Sequence, residues 1–406
     1  MLQHNHSLKP GSFITEEMEN FIESLLIEKS VTNKEVQESL KLKYEIKFSY
    51  YDVKNACFKI KSKLFGKANE DARTLIKLLE ELKENKLIFF DKLIGDNQNL
   101  RAFLFVTNGM ASLYKEYKDI IILDTTLGLN RFNMPVLTIA SIDNFGRTVI
   151  LGFACMENET AEIKEWVLSK YLDYVKTPPD AYISDSCPAL LKALRIVIPT
   201  AKPFLCGWHV QLNFKKHFAG FKKTLKKKSK LIKILVINFL LELELDFYDR
   251  IIHLPFNPSK NKFKEICKEI KDSDIIATET KEYFENLCES QEKWSLAFRK
   301  EESIIGVQTT SRIESLHNLI KNYIRSKCSL TELVIRLICF AKVKNSQNVE
   351  EEKISNDVFN LLSKNLILAN IKEKYSNYAY QKCLISFAQS LSLKITKREA
   401  FMKSQQ

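Results

Sequence analysis

Apolar positions in residues 12–65 recur every three or four residues in three short blocks, which predicts three helices. Thr32 begins the second block with Glu35 three residues later, the spacing of a capping box. The third block carries Lys54 and Lys61 on its polar face. Three short helices with a basic last helix are typical of a helix-turn-helix DNA reader. An ordinary three-helix cap with solvated lysines fits the same pattern.

Beyond residue 118 the pattern changes to short apolar runs. Residues 119–124, 135–142 and 148–155 are three such runs with short connections, and they predict three successive strands. Helical spacing then alternates with two further short apolar runs. The resulting order, β-β-β-α-β-α-β, predicts an α/β fold with a mixed sheet, and it is the order expected of an RNase H-like core.

The remaining segments are mainly helical by period and rich in charge, with no internal repeat. We therefore predict four regions along the chain. They are a small helical module at 12–65, a connecting helix and strands at 66–118, an RNase H-like core at 119–345 with a helical insertion at about 217–305, and a helical tail at 346–406.

The composition of the 406 residues, with 45% hydrophobic and 28% charged, is that of an ordinary folded protein. Its net charge of +12 favours a polyanionic partner such as nucleic acid, although lysines that only cover solvated helix faces would also produce it. No signal peptide and no apolar stretch long enough to cross a bilayer is evident. The expected location is the nucleus or the cytoplasm, without membrane contact.

Two acids follow buried strands. Asp124 ends the apolar run 119–124, and Asp185 ends the run 181–184. In the predicted topology these strands are neighbours, so the two carboxylates would face each other at the carboxyl edge of the sheet. Two such acids repel unless a cation lies between them, and Mg²⁺ prefers carboxylate oxygens. The alternative is that both are strand-end residues that cap turns or helices.

A third acid, Glu314, falls in the first turn of a predicted helix that Thr310 or Ser311 would cap. From there its carboxylate could point back to the sheet edge and complete a metal site. An acid in a first helical turn is also favourable for the helix dipole alone.

Cys206 and His209 have a spacing that could supply half of a zinc site, but the sequence offers no convincing second half. The alternative is a structural role, with a buried cysteine and a hydrogen-bonded histidine. The nine cysteines contain no paired CxxC motif, so neither a disulfide framework nor a cysteine-rich zinc module is indicated.

A basic stretch opens the helical insertion, and its lysines fit either contacts with DNA phosphates or a solvated helix face. Arg312 lies two residues before Glu314 and is therefore a candidate for a phosphate contact beside the acids. The candidate lysines of this stretch are Lys215, Lys216, Lys222, Lys223, Lys226 and Lys227.

Several of these motifs, in this order, resemble the Mutator-like element (MULE) transposases and the far-red impaired response proteins of plants, which are thought to descend from them. The resemblance covers roughly residues 30–325, and an ordered set of motifs is more specific than any one of them. It rests mainly on Asp119–Asn133 (DIIILDTTLGLNRFN), Tyr182–Ala189 (YISDSCPA), Cys206–Asn213 (CGWHVQLN) and Thr309–Lys321 (TTSRIESLHNLIK).

The resemblance implies that Asp124, Asp185 and Glu314 are a catalytic DDE triad. It also implies Mg²⁺ or Mn²⁺ as cofactor, double-stranded DNA (transposon ends and target) as partner, and a homo-oligomer on that DNA. The chain departs from many relatives because it lacks the SWIM and WRKY/GCM-type zinc modules. A domesticated, non-catalytic DNA-binding regulator is therefore the alternative, and a nuclease acting on RNA–DNA hybrids is a third possibility.

Overall fold

A computed structural model of the chain describes residues 14–28, 31–65, 70–143, 146–224, 245–299, 309–324 and 328–362. Seven strands are present in this part: β1 Ile88–Ile94, β2 Leu100–Thr107, β3 Ile120–Thr126, β4 Val136–Ile142, β5 Thr148–Met156, β6 Ala181–Ser184 and β7 Lys202–Leu205.

The helices before and between the strands are α1 Glu16–Glu28, α2 Asn33–Tyr44, α3 Tyr50–Phe65, α4 Asp71–Glu84, α5 Asn108–Tyr117, α6 Ala161–Val175 and α7 Pro188–Val197. Those after β7 are α8 Gly207–His217, α9 Lys260–Asp272, α10 Thr278–Cys288, α11 Leu296–Arg299, α12 Ser311–Ile324 and α13 Leu330–Leu362. Residues 219–224 and 245–252 are also helical.

All seven strands form one mixed sheet in the order β1-β2-β5-β4-β3-β6-β7. Strands β1, β2, β5, β4 and β3 pair antiparallel in succession, whereas β6 pairs parallel to β3 and β7 parallel to β6. The predicted order β-β-β-α-β-α-β is therefore present in β3 to β7. The hairpin β1–β2 extends the same sheet through β5, a pairing that the sequence did not predict.

The central strand β3 is apolar on both faces because both faces are covered. Ile121 and Leu123 belong to the main core of the sheet, whereas Ile122 points the other way, toward Ile313 of α12. Successive side chains of a strand alternate between faces, so Asp124 shares the face of Ile122. The end of β3 thus delivers a carboxylate beneath α12.

The amino-terminal helices α1 to α3 enclose a small core of their own. The predicted capping box at α2 is confirmed: Thr32 Oγ1 accepts from the Glu35 amide and the Glu35 carboxylate accepts from the Thr32 amide. Buried Arg336 of α13 donates to the Leu26 carbonyl at 2.8 Å, which joins this three-helix unit to the rest of the molecule. Whether the unit reads DNA stays a prediction.

The helices between β7 and α12 pack around a second core that is rich in aromatic rings. Trp294 is buried at its centre, and its indole Nε1 donates to the Leu287 carbonyl at 2.9 Å. Arg299 anchors this core to the sheet because its Nη2 donates to the Leu205 carbonyl of β7 at 2.7 Å. Within the described ranges, no helix is both long and apolar enough to cross a membrane.

Candidate active site

Asp124 and Asp185 lie side by side at the carboxyl ends of two neighbouring parallel strands. Leu123 of β3 and Ser184 of β6 are partners in the register, so the next residue on each strand is one of the acids. The amide of Cys187 donates to Asp185 Oδ1 at 3.2 Å and holds that side chain at the start of α7. The predicted neighbourhood of the two strands is confirmed.

Glu314 reaches the same region from α12. It lies in the first turn of this helix, where Ile313 beside it is completely buried against β3, β6 and β7. Glu314 Oε1 lies 3.5 Å from His209 Nε2 on α8. The third acid is therefore brought to the sheet edge by a helix that is near in space but lies far along the chain.

Electrostatics link the three acids. Burial, followed by the negative charges of Asp185 and Glu314, raises the pKa of Asp124 from 3.8 to about 7 against the opposing effect of His209. Asp124 is only 8% exposed. Burial and the two neighbouring acids make the ionised form of Asp124 unfavourable. A bound cation would stabilise this ionised form.

Cys206, the residue before α8, connects the sheet to α12. Its Sγ accepts from the Thr310 amide at 3.1 Å and from the Thr310 hydroxyl at 3.2 Å, and also from the His209 amide at 3.5 Å. Burial disfavours its thiolate, but hydrogen bonds from His209 and Thr310 outweigh this and lower the pKa of the thiol. These contacts orient α12, and Glu314 with it, relative to the sheet.

His209 lies between this cysteine and Glu314. Its Nδ1 is 3.3 Å from the Thr310 hydroxyl. The hydrogen bond with Cys206, followed by the charges of Cys206, Asp124 and Glu314, raises the pKa of His209 to about 9 although burial opposes this. The imidazolium is therefore the predominant form of His209 at neutral pH in the metal-free protein. A zinc ion at Cys206 and His209 stays a prediction, and the structure accounts for both residues without it.

His317 of α12 is a site residue that no sequence motif singled out. Its Nδ1 lies 3.5 Å from Asp124 Oδ2 and its Nε2 lies 2.9 Å from the Thr138 hydroxyl of β4. Burial, and to a lesser extent Lys321, lowers the pKa of His317 to about 4, so the ring is neutral. A neutral ring with its proton on Nδ1 would donate toward Asp124 and accept from Thr138. The sequence did contain one indication of this role: His317 lies three residues after Glu314 and therefore on the same face of the helix.

The donor chemistry of the site suits a hard divalent cation, since Mg²⁺ and Mn²⁺ prefer carboxylate oxygens and Asp124, Asp185 and Glu314 supply them. In the described ranges, however, no three His, Cys, Asp or Glu side chains are already gathered closely enough to hold an ion. The carboxylates thus fit such a cation by type, and their side chains would have to move closer together to complete the coordination.

The candidate DNA-binding residues differ in their surroundings. Arg312 is half-buried and donates from Nη1 to the Gly146 carbonyl in the β4–β5 turn. Lys222 is half-buried with its Nζ 4.7 Å from the centre of the Tyr248 ring, and Lys61 is half-buried on α3. Lys226 and Lys227 lie outside the described residues. Lys54, Lys215, Lys216 and Lys223 are exposed.

The charge on His209 leads to a pH-dependent prediction. A histidine whose folded pKa lies near 9 contributes stability that is fully present below its unfolded pKa of 6.5 and is lost as pH rises through 9. We expect His209→Gln to lower the free energy of unfolding in EDTA by about 2 kcal/mol more at pH 6 than at pH 9.5. Urea unfolding followed by circular dichroism measures this, with exposed His253→Gln as the control. A deficit that is the same at both pH values would contradict the prediction.

Comparison with known proteins places this geometry in context. Residues 120–213 match the family model of the MULE transposase domain. Asp124, Asp185, Cys206 and His209 lie within the matched residues, and Glu314 lies beyond them.

Among curated proteins, the chain is 21% identical over 266 residues to Protein FAR-RED IMPAIRED RESPONSE 1 of Arabidopsis thaliana, covering 65% of this chain and 30% of the relative. It is 20% identical over 289 residues to Protein FAR1-RELATED SEQUENCE 11 of the same plant, covering 70% of this chain and 39% of the relative. It is also 23% identical to PKS-NRPS hybrid synthetase cheA of Chaetomium globosum, over 86% of this chain and 8% of that protein.

The chain thus spans roughly a third of the length of the two Arabidopsis relatives. The family match covers the strands that carry the first two acids, and the relatives extend the similarity over most of the chain. These findings confirm the resemblance of the chain to the MULE transposase domain and to the FAR1-related proteins.

Proposed function

We propose that this chain, whose match to the MULE transposase domain supports a transposase-derived origin, is a DNA transposase of the Mutator-like DDE type. The observation that carries the proposal is the convergence of Asp124, Asp185 and Glu314 from two strands and a distant helix on one sheet edge. Nothing in local structure requires acids at all three positions. Their meeting at one place is expected if together they bind metal ions.

The topology supports an RNase H-like core for this activity. Strands β5, β4 and β3 are antiparallel neighbours, and β6 and β7 continue in parallel from β3. The first acid lies near the end of the central strand and the second follows its parallel neighbour. The large aromatic-cored helical unit falls between β7 and α12, so it separates Asp185 from Glu314 along the chain but not in space.

The chemistry divides between the cofactor and the protein. Bound Mg²⁺ or Mn²⁺ would activate the attacking oxygen and stabilise the leaving oxygen in phosphodiester cleavage and strand transfer. Asp124, Asp185 and Glu314 would hold the ions. His317 supports Asp124 from α12, and His209 supports Glu314 from α8. Both histidines thereby fix carboxylates that would otherwise repel one another.

The proposed partner is double-stranded DNA, as transposon ends and as target, bound by an oligomer in the nucleus. The net charge of +12 and the exposed lysines Lys215, Lys216 and Lys223 on the side of the molecule that carries α8 support a phosphate-binding role. Exposed Lys54 on α3 supports a second contact through the three-helix unit. The positive charge would act on DNA phosphates irrespective of base sequence.

A cleavage assay tests the proposal. Purified chain with Mg²⁺ or Mn²⁺ should nick duplex DNA that carries the inverted repeats of its element and join the 3′ ends to target DNA. Asp185→Asn and Glu314→Gln should each abolish cutting and leave duplex binding intact. Asp180→Asn is a matched control, because Asp180 precedes β6 at the opposite end of the strand and is exposed. No cleavage of any duplex by the unaltered chain would refute the enzymatic proposal.

A non-catalytic DNA-binding regulator is the second candidate. It is favoured by the positive charge of His209, 3.5 Å from Glu314, which partly offsets the negative charge of the acids, and by similarity to FAR-RED IMPAIRED RESPONSE 1. Chromatin mapping separates the two functions. Occupancy at host promoters, with transcriptional effects unchanged by Asp185→Asn, would support the regulator, and cleavage restricted to RNA–DNA hybrids would instead indicate a nuclease.

A further inference from the structure

A cavity of about 400 Å³ lies in the helical unit between β7 and α12, away from the acids. Its lining includes Phe263 of α9 and Phe284 of α10, and also the cysteines Cys267 and Cys288 of the same two helices. Both cysteines are half-buried, and both line the cavity.

The two thiols are in contact although no disulfide joins them. Their side chains share a hydrogen bond, which is the largest influence on the pKa of either group. This bond lowers the pKa of Cys267 against the effect of burial, whereas the pKa of Cys288 is raised. One thiol of the pair is thus the better nucleophile and the other keeps its proton, which is the division of roles between an attacking and a resolving cysteine.

We propose that Cys267 and Cys288 are a redox-sensitive pair that hydrogen peroxide converts to a reversible disulfide between α9 and α10. The thiolate of Cys267 attacks one peroxide oxygen, the O–O bond breaks and the departing hydroxide takes a proton to become water. Cys267 is then a sulfenic acid. The sulfur of Cys288 attacks it, the S–O bond breaks, and a second water leaves with the Cys288 proton. The balance is two thiols and one peroxide to one disulfide and two waters.

Oxidation would stabilise the helices beside the candidate active site. Phe284 of α10 packs against Phe214, with ring centres 5.7 Å apart, and Phe214 belongs to α8, the helix that carries His209. A covalent link between α9 and α10 restricts the unfolded chain. The link should therefore raise the unfolding temperature of the helical unit, and this effect does not depend on DNA cleavage.

Peptide mapping of the full chain tests the disulfide directly. Reduced protein is treated with hydrogen peroxide, blocked with N-ethylmaleimide and digested with trypsin. Cys267 then lies in the peptide Glu265–Lys268 and Cys288 in Glu282–Lys293. We expect these peptides to appear joined after oxidation, lighter than the sum of the two by two hydrogen atoms, and to separate with dithiothreitol.

Three variants control the result. Cys288→Ser should prevent the link and leave Cys267 open to oxidation to the sulfinic acid, and Cys267→Ser should prevent the link with Cys288 still reduced. Cys187→Ser should leave the link unchanged, since half-buried Cys187 contacts Lys164 at 3.4 Å. The peroxide-induced rise in unfolding temperature should vanish in the first two variants only. Joined peptides from other cysteine pairs, or no joined pair while both thiols oxidise separately, would overturn the proposal.

Discussion

Asp124→Asn is expected to abolish metal-dependent DNA cleavage and, in the same protein, to stabilise the metal-free chain. The rate of cutting should fall by a factor on the order of 10³ or more. The carboxylates that bind the metal ions act together, so the loss of one removes most of the effect of all three. The gain in stability arises because the substitution removes the negative charge of a buried carboxylate. A buried carboxyl whose pKa rises from 3.8 to about 7 costs on the order of 4 kcal/mol once it is ionised.

The sign of this cost follows from proton binding. Between pH 4 and pH 7, roughly, folded Asp124 keeps a proton that the unfolded chain has released, so stability falls as pH rises through this window. The asparagine side chain of the variant would carry no charge at any pH. The variant should therefore unfold at a higher temperature than the unaltered chain at pH 8 in EDTA, and the difference should vanish near pH 4.

Thermal unfolding at the two pH values, with and without Mg²⁺, measures both effects. Mg²⁺ should raise the unfolding temperature of the unaltered chain and have less effect on Asp124→Asn, because an ion that binds only the folded state stabilises it. Asp119→Asn is the matched control: Asp119 is exposed and precedes the same strand at its other end. A variant less stable than the unaltered chain at pH 8 would contradict the proposed electrostatic strain.

Asp71→Ala is expected to produce the largest loss of stability, about 3–5 kcal/mol, because it removes a buried carboxylate that both pairs with Arg131 and accepts several hydrogen bonds. Asp71 begins α4 and its side chain is 1% exposed. Its carboxylate accepts from the Leu330 amide at 2.7 Å, the Thr331 amide at 3.1 Å and the Thr331 hydroxyl at 3.0 Å. It also pairs with Arg131 at 2.9 Å.

This one carboxylate thus joins α4, the segment between β3 and β4, and the beginning of α13. Alanine would leave two buried amides and a guanidinium without their acceptor, whereas the Thr331 hydroxyl would keep the backbone carbonyl of residue 71 at 3.3 Å. Urea unfolding of Asp71→Ala measures the loss, and Glu70→Ala is the control because exposed Glu70 makes no capping bond with its side chain. Asp71→Asn should fall between them, since its amide oxygen can still accept. A loss of less than about 1 kcal/mol in Asp71→Ala would show that the carboxylate is not required.

Local sequence patterns predicted the features that depend only on residues close together in the sequence. An apolar run that ends in an acid identified β3 with Asp124 and β6 with Asp185, because a strand buried on both faces must be apolar along its length. The capping box at Thr32 was predictable for the same reason, since its two hydrogen bonds lie within four residues. The first-turn position of Glu314 also required only helical spacing and a cap.

Contacts between distant residues were not predictable in this way. Thr310 bonds to Cys206 across 104 positions, and His317 reaches Thr138 across 179. In the sequence, Cys206 and His209 suggested half of a metal site. In the structure the same residues orient the helix of Glu314, because the position of α12 supplies hydrogen-bond donors that the local sequence does not contain.

The sequence by itself determined the order of the elements along the chain from β3 to β7, the positions of the three acids on these elements and on the helix of Glu314, and the basic charge of the chain. Each of these depends on residue type and on spacing over a few positions. Only the tertiary structure decided that the hairpin β1–β2 joins the sheet and that Asp71 accepts hydrogen bonds from the beginning of α13. It also decided that His209 and His317 lie beside the acids. Spacing determines which face of an element is apolar, whereas the partner of that face depends on how all the elements pack together.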